Sequence, residues 1–319
     1  MSSEIKAENL SDAGATQVAK APRPDVSRAP SPPRGSAAHE VASVGATFDW
    51  KPLALIPVLA LAVLPFIGSG STWVTLTVAG LAMGMIIFII ASGLTLVFGL
   101  MDVLNFGHGV FIALGAFVAT SVLGAMGDWT ASDELWRNLV AVFPAMLIGM
   151  AVAGAVGLAF ERFIVRPVYG QHLKQILITM GGMIIGEELI KVIWGPAQIA
   201  LELPAALRGS LFLGDAAISK YRLLAVVVGS VVFGLLAWTL SRTKIGLLIR
   251  AGVQDREMVE SLGYRIRQLF VGVFVVGSAL AGLGGVMWGL FQQSVIPQIG
   301  AQVNVLIFIV IIIGGLGST

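Results

Sequence analysis

The sequence predicts an all-α fold: a polytopic transmembrane helical bundle of about eight spans, with a broken helix near 99–109, preceded by a disordered N-terminal tail. Three observations carry this. The 319 residues are 56% hydrophobic and only 12% charged, against about 25% charged for an ordinary soluble domain. Apolar runs near the ~20 residues needed to cross a bilayer recur from residue 53 onward. The basic residues fall in alternate connections between those runs, as the positive-inside rule requires.

Residues 1–47 are rich in Ala, Ser, Pro and charge, with Pro22, Pro24, Pro30, Pro32 and Pro33 among them. Such a segment buries too little apolar surface to offset its ordering entropy. Its first residues, MSSEIKAENLSDAGA, place charges where a signal peptide needs an apolar core. It reads as a disordered cytoplasmic tail ahead of a membrane domain over 48–319.

The predicted spans lie near 53–68, 73–98, 103–124, 138–160, 175–194, 221–240, 269–291 and 303–316. A cytoplasmic N-terminus puts three basic stretches on one face. They are the tail to Lys51, the loop with Arg162, Arg166 and Lys174, and the loop from Arg242 to Arg267, together holding fifteen of the twenty Lys and Arg residues. The opposite connections are acidic or balanced, with Asp128, Asp133 and Glu134 in one and Glu202 and Asp215 in the other. Trp73, Trp129, Trp136, Trp194 and Tyr221 sit near span ends, where amphipathic rings anchor at the interface. Net charge is +2, and its placement serves membrane orientation rather than nucleic-acid binding.

One stretch interrupts the pattern. Within ASGLTLVFGLMDVLNFGHGVFIALGAFVA, the residues Gly93, Gly99, Asp102, Asn105, Gly107, His108 and Gly109 weaken a helix at membrane depth. Irregular backbone survives there only where protein or a water-filled cavity satisfies it. Asp102, Asn105, Phe106, Gly107, His108 and Gly109 are therefore the expected lining of a polar path. His108 either hydrogen-bonds freed backbone groups or serves as a ligand or proton-relay group. Asp102, Asn105 and His108, spaced by three, would share a face if helical.

Two further features invite a reading. Glu187, Glu188 and Lys191 lie in an apolar span, and Glu187 and Lys191 are four apart in the order that favours pairing. A structural ion pair near the interface and a functional charge are both open. The run GSALAGLGG at 277–285 permits close helix packing or loosens a helix beside a pathway.

The loop at 241–268 contains the signature of a short amphipathic helix. Asp255 is placed to cap it, Glu257 to complement its dipole and Gly263 to stop it, with Met258, Val259 and Leu262 on one side. That is a natural docking surface for another protein. No G-x-x-x-x-G-K-[ST] sequence is present, so nucleotide would have to be handled elsewhere. Cysteine is absent, the three histidines are dispersed, and no nucleophile has a base beside it, which excludes thiolate metal sites and argues against an enzyme.

The segments ASGLTLVFGLMDVLNFGHGVFIALGA, FIVRPVYGQ, RTKIGLLIRAGVQDREMVESLGY, GSALAGLGGVMWG and IIIGGLGS together resemble the permease subunits of branched-chain amino acid ABC importers, over roughly residues 73–319. The resemblance implies a non-catalytic, multi-pass subunit of a bacterial inner membrane. Its expected partners are a second permease, two cytoplasmic ATP-binding subunits and a periplasmic solute-binding protein, with no cofactor. It assigns ATPase docking to Arg250, Asp255, Met258, Val259, Leu262 and Gly263. Members of that family usually carry two small alanines where Met258 and Val259 stand, and continue past GGLGS into a further apolar span. The implied solute is leucine, isoleucine or valine, with urea and short amides as alternatives. From a different class, a self-sufficient ion-coupled carrier or channel would use Asp102, His108 and Glu188 as coupling sites.

Overall fold

A computed structural model describes residues 51–101, 103–254 and 256–314. The predicted tail over 1–47, Asp102, Asp255 and the last five residues lie outside the described residues. Each of the eight predicted segments coincides with a helix: α1 (Lys51–Ile67), α2 (Gly70–Met101), α3 (His108–Ala125), α5 (Leu135–Phe160), α6 (His172–Trp194), α7 (Lys220–Arg242), α10 (Ile266–Gln292) and α11 (Ile299–Gly314). A short α4 (Gly127–Thr130) precedes α5. Five of these helices, α2, α3, α5, α7 and α10, are long and apolar enough to cross a membrane. Helices α1 and α11 are apolar but shorter, and α6 carries Lys174, Glu187, Glu188 and Lys191.

Helix α10 is the centre of the bundle and packs against α2, α3 and α5. Its glycines work by position. Gly277 and Gly284, two turns apart and so on one face, meet Gly93 and Ile90 of α2. Gly285 lies against the Ile112 carbonyl of α3, and Gly282 against Gly149 and Ala153 of α5. A Cβ at any of these positions would strike backbone or a fixed side chain, so the run at 277–285 serves close packing. Between helices already surrounded by hydrocarbon, the gain comes from dispersion contacts, which need backbones to approach closely.

The connections at one end of the bundle are tied by Asn138, fully buried at the start of α5. Its Nδ2 donates to the carbonyls of Trp129 (3.0 Å) and Ser132 (2.7 Å), and its Oδ1 accepts from Ala206 N–H (2.9 Å). The connection over 195–219, expected only as a polar link between spans, also contributes strands to two small antiparallel ladders. In the first, β1 (Ile199–Ala200) pairs with β4 (Ser294–Val295). In the second, β2 (Ser210–Leu213) pairs with β3 (Ala216–Ser219), turning at Gly214 with φ of 61°. Apolar SLFL and AAIS on either side of a Gly-Asp turn are a hairpin signal.

At the opposite end, the loop at 241–268 holds two helices rather than one. The helix α8 (Lys244–Gln254) precedes α9 (Arg256–Ser261). Gly263, with φ of 87°, ends α9 as expected of a glycine C-cap.

The glycine packing yields a prediction. Gly285→Val should lower stability by roughly 1–3 kcal/mol or more, the usual cost of overpacking, whereas Gly272→Val on the same helix faces open space and should be neutral. Thermal unfolding of the two variants in the same detergent checks this, and equal midpoints would contradict it.

Candidate functional site

The site is the interruption between α2 and α3. Helix α2 runs 32 residues, about 48 Å at 1.5 Å per residue, longer than the ~30 Å hydrocarbon core. His108, the first residue of α3, lies beside Ile90, with Nε2 3.3 Å from the Ile90 carbonyl oxygen. Ile90 precedes the end of α2 by eleven residues, or roughly 16 Å. Residues 103–107 therefore lie back along α2 before helix resumes, non-helical at 103–105 with a turn at 106–107. Asn105 lies outside helical geometry and His108 opens α3, so these two do not share a helical face. Asp102, the third of that expected set, lies outside the described residues.

The returning segment is held from two sides. Phe106 N–H donates to Thr179 Oγ1 of α6 (3.2 Å), and Asn304 Nδ2 of α11 donates to the Phe106 carbonyl (3.0 Å). The Phe106 ring stacks on Phe308 at 4.7 Å. Gly107 is small because the Phe160 ring occupies the space of a side chain, and Gly109 because the Gly300 carbonyl does. The clamp supplies, from neighbouring helices, the hydrogen bonds that hydrocarbon cannot.

The clamp does not satisfy every polar atom around it. Asn105 and His108 are fully buried, and Gln175 and Asn304 nearly so. Both polar atoms of Asn105, Nδ1 of His108, Oε1 of Gln175 and Oδ1 of Asn304 have no hydrogen-bond partner among the described residues. In sequence, Asn105 and His108 lie either side of Phe106, and Gln175 precedes Thr179 by one turn of α6. The Gln175 carbonyl accepts from Thr179 Oγ1 (2.7 Å), and Asn304 itself bonds the Phe106 carbonyl. Donors and acceptors of this kind can take up the amino and carboxylate groups of a solute. Gln175, Thr179 and Asn304 were not anticipated from sequence. Their signal was a lone polar residue in an apolar run, but nothing local says which of them face one another.

Of the other expected residues, Lys191 Nζ pairs with both Glu187 (3.2 Å) and Glu188 (2.7 Å), a local network on α6. In the 241–268 loop, Arg250, Met258, Leu262 and Gly263 are exposed, Met258 and Leu262 by 59% and 65%. Val259 is 4% exposed and packs inward, so the apolar face expected of α9 divides into an outer pair and an inner anchor.

Comparison with known proteins places this architecture. Residues 76–319 match the family model for the permease component of branched-chain amino acid transport systems. The high-affinity branched-chain amino acid transport system permease protein BraD of Pseudomonas aeruginosa is 30% identical over 250 residues, covering 76% of this chain and 78% of that protein. The corresponding permease LivH of Escherichia coli is 27% identical over 245 residues, 75% of this chain and 78% of that protein. LivM of Escherichia coli is 28% identical over 292 residues, 86% of this chain but 65% of that protein. No solved structure matches this chain. With the family model covering more than three quarters of its length and BraD matching at this level, the chain belongs to the family of branched-chain amino acid transport system permease components.

Proposed function

We propose that this chain is the translocation subunit of an ABC importer in a bacterial inner membrane. It spans the membrane about eight times with its N-terminus in the cytoplasm, and forms with a second permease the path for branched-chain or related amino acids. ATP hydrolysis resides on two separate cytoplasmic subunits, and a solute-binding protein delivers the solute from the other side. The observation that carries the reading, beyond family membership, is the helix break with its buried amides and imidazole, each of which leaves at least one polar atom without a partner among the described residues. A branched-chain amino acid is a zwitterion with an aliphatic tail. Neutral amides at Asn105, Gln175 and Asn304 offer donors and acceptors to its charged ends without the trap that a fixed opposite charge would create. Phe106, Phe308 and Phe160 supply apolar walls.

The Gly107 and Gly109 positions are poor tests of this path, because both are crowded and a side chain would break packing whatever the function. Asn105 discriminates. An unpartnered buried amide costs about 1–3 kcal/mol, so Asn105→Leu, which keeps the branched outline, should leave stability unchanged or raised. Asn105→Ala serves as the variant that cannot overpack. Uptake of radiolabelled leucine by the whole complex in vesicles should fall roughly tenfold or more, equivalent to about 1.4 kcal/mol. A loss of stability with uptake intact would make Asn105 structural and remove the break from the path. His108→Gln should retain transport if the imidazole only hydrogen-bonds, and a dead but assembled variant would assign it more.

The docking of the ATPase falls to α8 and α9, through Arg250, Asp255, Met258, Leu262 and Gly263, with Val259 anchoring the platform from below. Met258→Asp together with Leu262→Asp changes two exposed side chains and should not impair insertion. Burying carboxylates at the junction costs about 2 kcal/mol or more, so uptake should drop roughly tenfold while the free ATPase keeps its basal turnover. Unchanged ATP-driven uptake would put the junction elsewhere, and uptake driven by an ion gradient without any ATPase would replace the importer by a carrier.

A further inference from the structure

Where α5 ends and α10 begins, a cavity of about 510 Å³ is lined by Arg162, Arg166, Tyr169, Arg267, Phe163 and Phe270. The chain leaves α5 through a π-helical turn over Glu161–Val165 and a 3₁₀ turn over Arg166–Val168. These carry Arg162 and Arg166 to one wall, and the first turn of α10 brings Arg267 to the other. Three cations separated by about a hundred residues in sequence thus converge on one space. Among the described residues none of the three is within ion-pairing distance of a carboxylate. The nearest acid in sequence, Glu161, is 1% exposed and accepts a hydrogen bond from the Tyr169 hydroxyl at 2.8 Å, so it is held inside the fold. Like charges gathered without counter-charge repel one another, and an anion in the cavity would relieve that cost.

The walls specify which anion. Phe163, adjacent to Arg162, is 73% exposed, and at the end of a membrane-crossing helix an exposed aromatic ring faces the interface or the acyl chains. The cavity is thus cationic inside with an apolar flank, the two-part chemistry of a phospholipid. We infer that the cavity among Arg162, Arg166 and Arg267 is a binding site for the phosphate headgroup of an anionic phospholipid, with Phe163 against its glycerol and upper acyl carbons. The inference goes beyond the permease reading and rests only on the chain spanning a membrane.

The test is native mass spectrometry of the full-length chain, purified in mild detergent and titrated with phosphatidylglycerol or phosphatidylethanolamine. Phosphatidylglycerol should be retained roughly tenfold more tightly. Each Arg→Gln change at 162, 166 or 267 should weaken it roughly fivefold, while the triple Arg→Lys variant, which keeps the charge, should hold most of it. If the triple Gln variant does not insert, the three single variants give the same readout. Millimolar inorganic phosphate should not displace the lipid. Equal retention of the two lipids, or unchanged retention by the Gln variants, overturns the proposal. So does full displacement by phosphate, which would make this a site for a free anion. Loss of a co-purifying ATP-binding subunit by the Gln variants, with no lipid preference in the parent, would assign the arginines to a protein partner instead.

Discussion

Hydrocarbon offers no hydrogen bonds, and that constraint governs the stretch between Met101 and His108. Residues 103–107 leave helical geometry beside α2, and every amide and carbonyl freed in doing so must find a partner in protein. At Phe106 the partners are Thr179 and Asn304, one on α6 and one on α11. Those two bonds therefore tie three parts of the sequence, separated by 73 and 198 residues, to a single backbone position. Helices whose apolar surfaces would otherwise face lipid as readily as each other are fixed in register by that clamp. The same residues leave polar atoms over, and a membrane interior tolerates such atoms only where something polar visits them.

Close packing makes the clamp possible. The hydrogen bonds are short-ranged, so the start of α3 must come within a few ångströms of α11, and glycine is the residue that lets backbones do so there, as it does between α10 and its neighbours. Gly93 against Gly277, Gly109 against Gly300 and Ile112 against Gly285 are contacts between backbones. A site built on such contacts has two properties that transport needs. It is rigid in any one arrangement, because a packed interior does not deform continuously. At the glycine contacts themselves, no side chain stands between the backbones to be cleared when helices shift against one another by small steps.

Much of this was legible in the sequence, for identifiable reasons. Hydrophobic runs of span length are a direct readout of a membrane solvent, so the eight helices fall close to where the apolar segments predicted them. The non-helical connection at 103–107 falls where Asn105, Gly107, His108 and Gly109 concentrate helix-weakening and polar residues in an apolar stretch. The identity of its partners was not legible. Gln175, Thr179 and Asn304 are single polar residues in otherwise apolar stretches, and only the tertiary arrangement brings them to Phe106. The α8 helix was hidden by Gly246 and Gly252, which lower helix propensity, although Gly246 sits at a close approach to the Leu240 carbonyl. The convergence of Arg162 and Arg166 with Arg267 was invisible for the same reason as the clamp: two loops, each accounted for by charge placement alone, meet in space.

The central claim is that the buried polar atoms at the break belong to a pathway that opens during the transport cycle. The chain contains no cysteine, so a single cysteine at position 105 reports its own environment without background. In the assembled complex, a membrane-impermeant thiol reagent should leave that cysteine unmodified at rest, where Asn105 is fully buried. It should modify the cysteine when ATP and solute are both supplied, and excess leucine should slow the reaction. A cysteine at position 185, where Ile185 is 62% exposed on a helix face, should stay inert throughout as a lipid-facing control. Labelling at 105 that never exceeds labelling at 185 during turnover would contradict the claim.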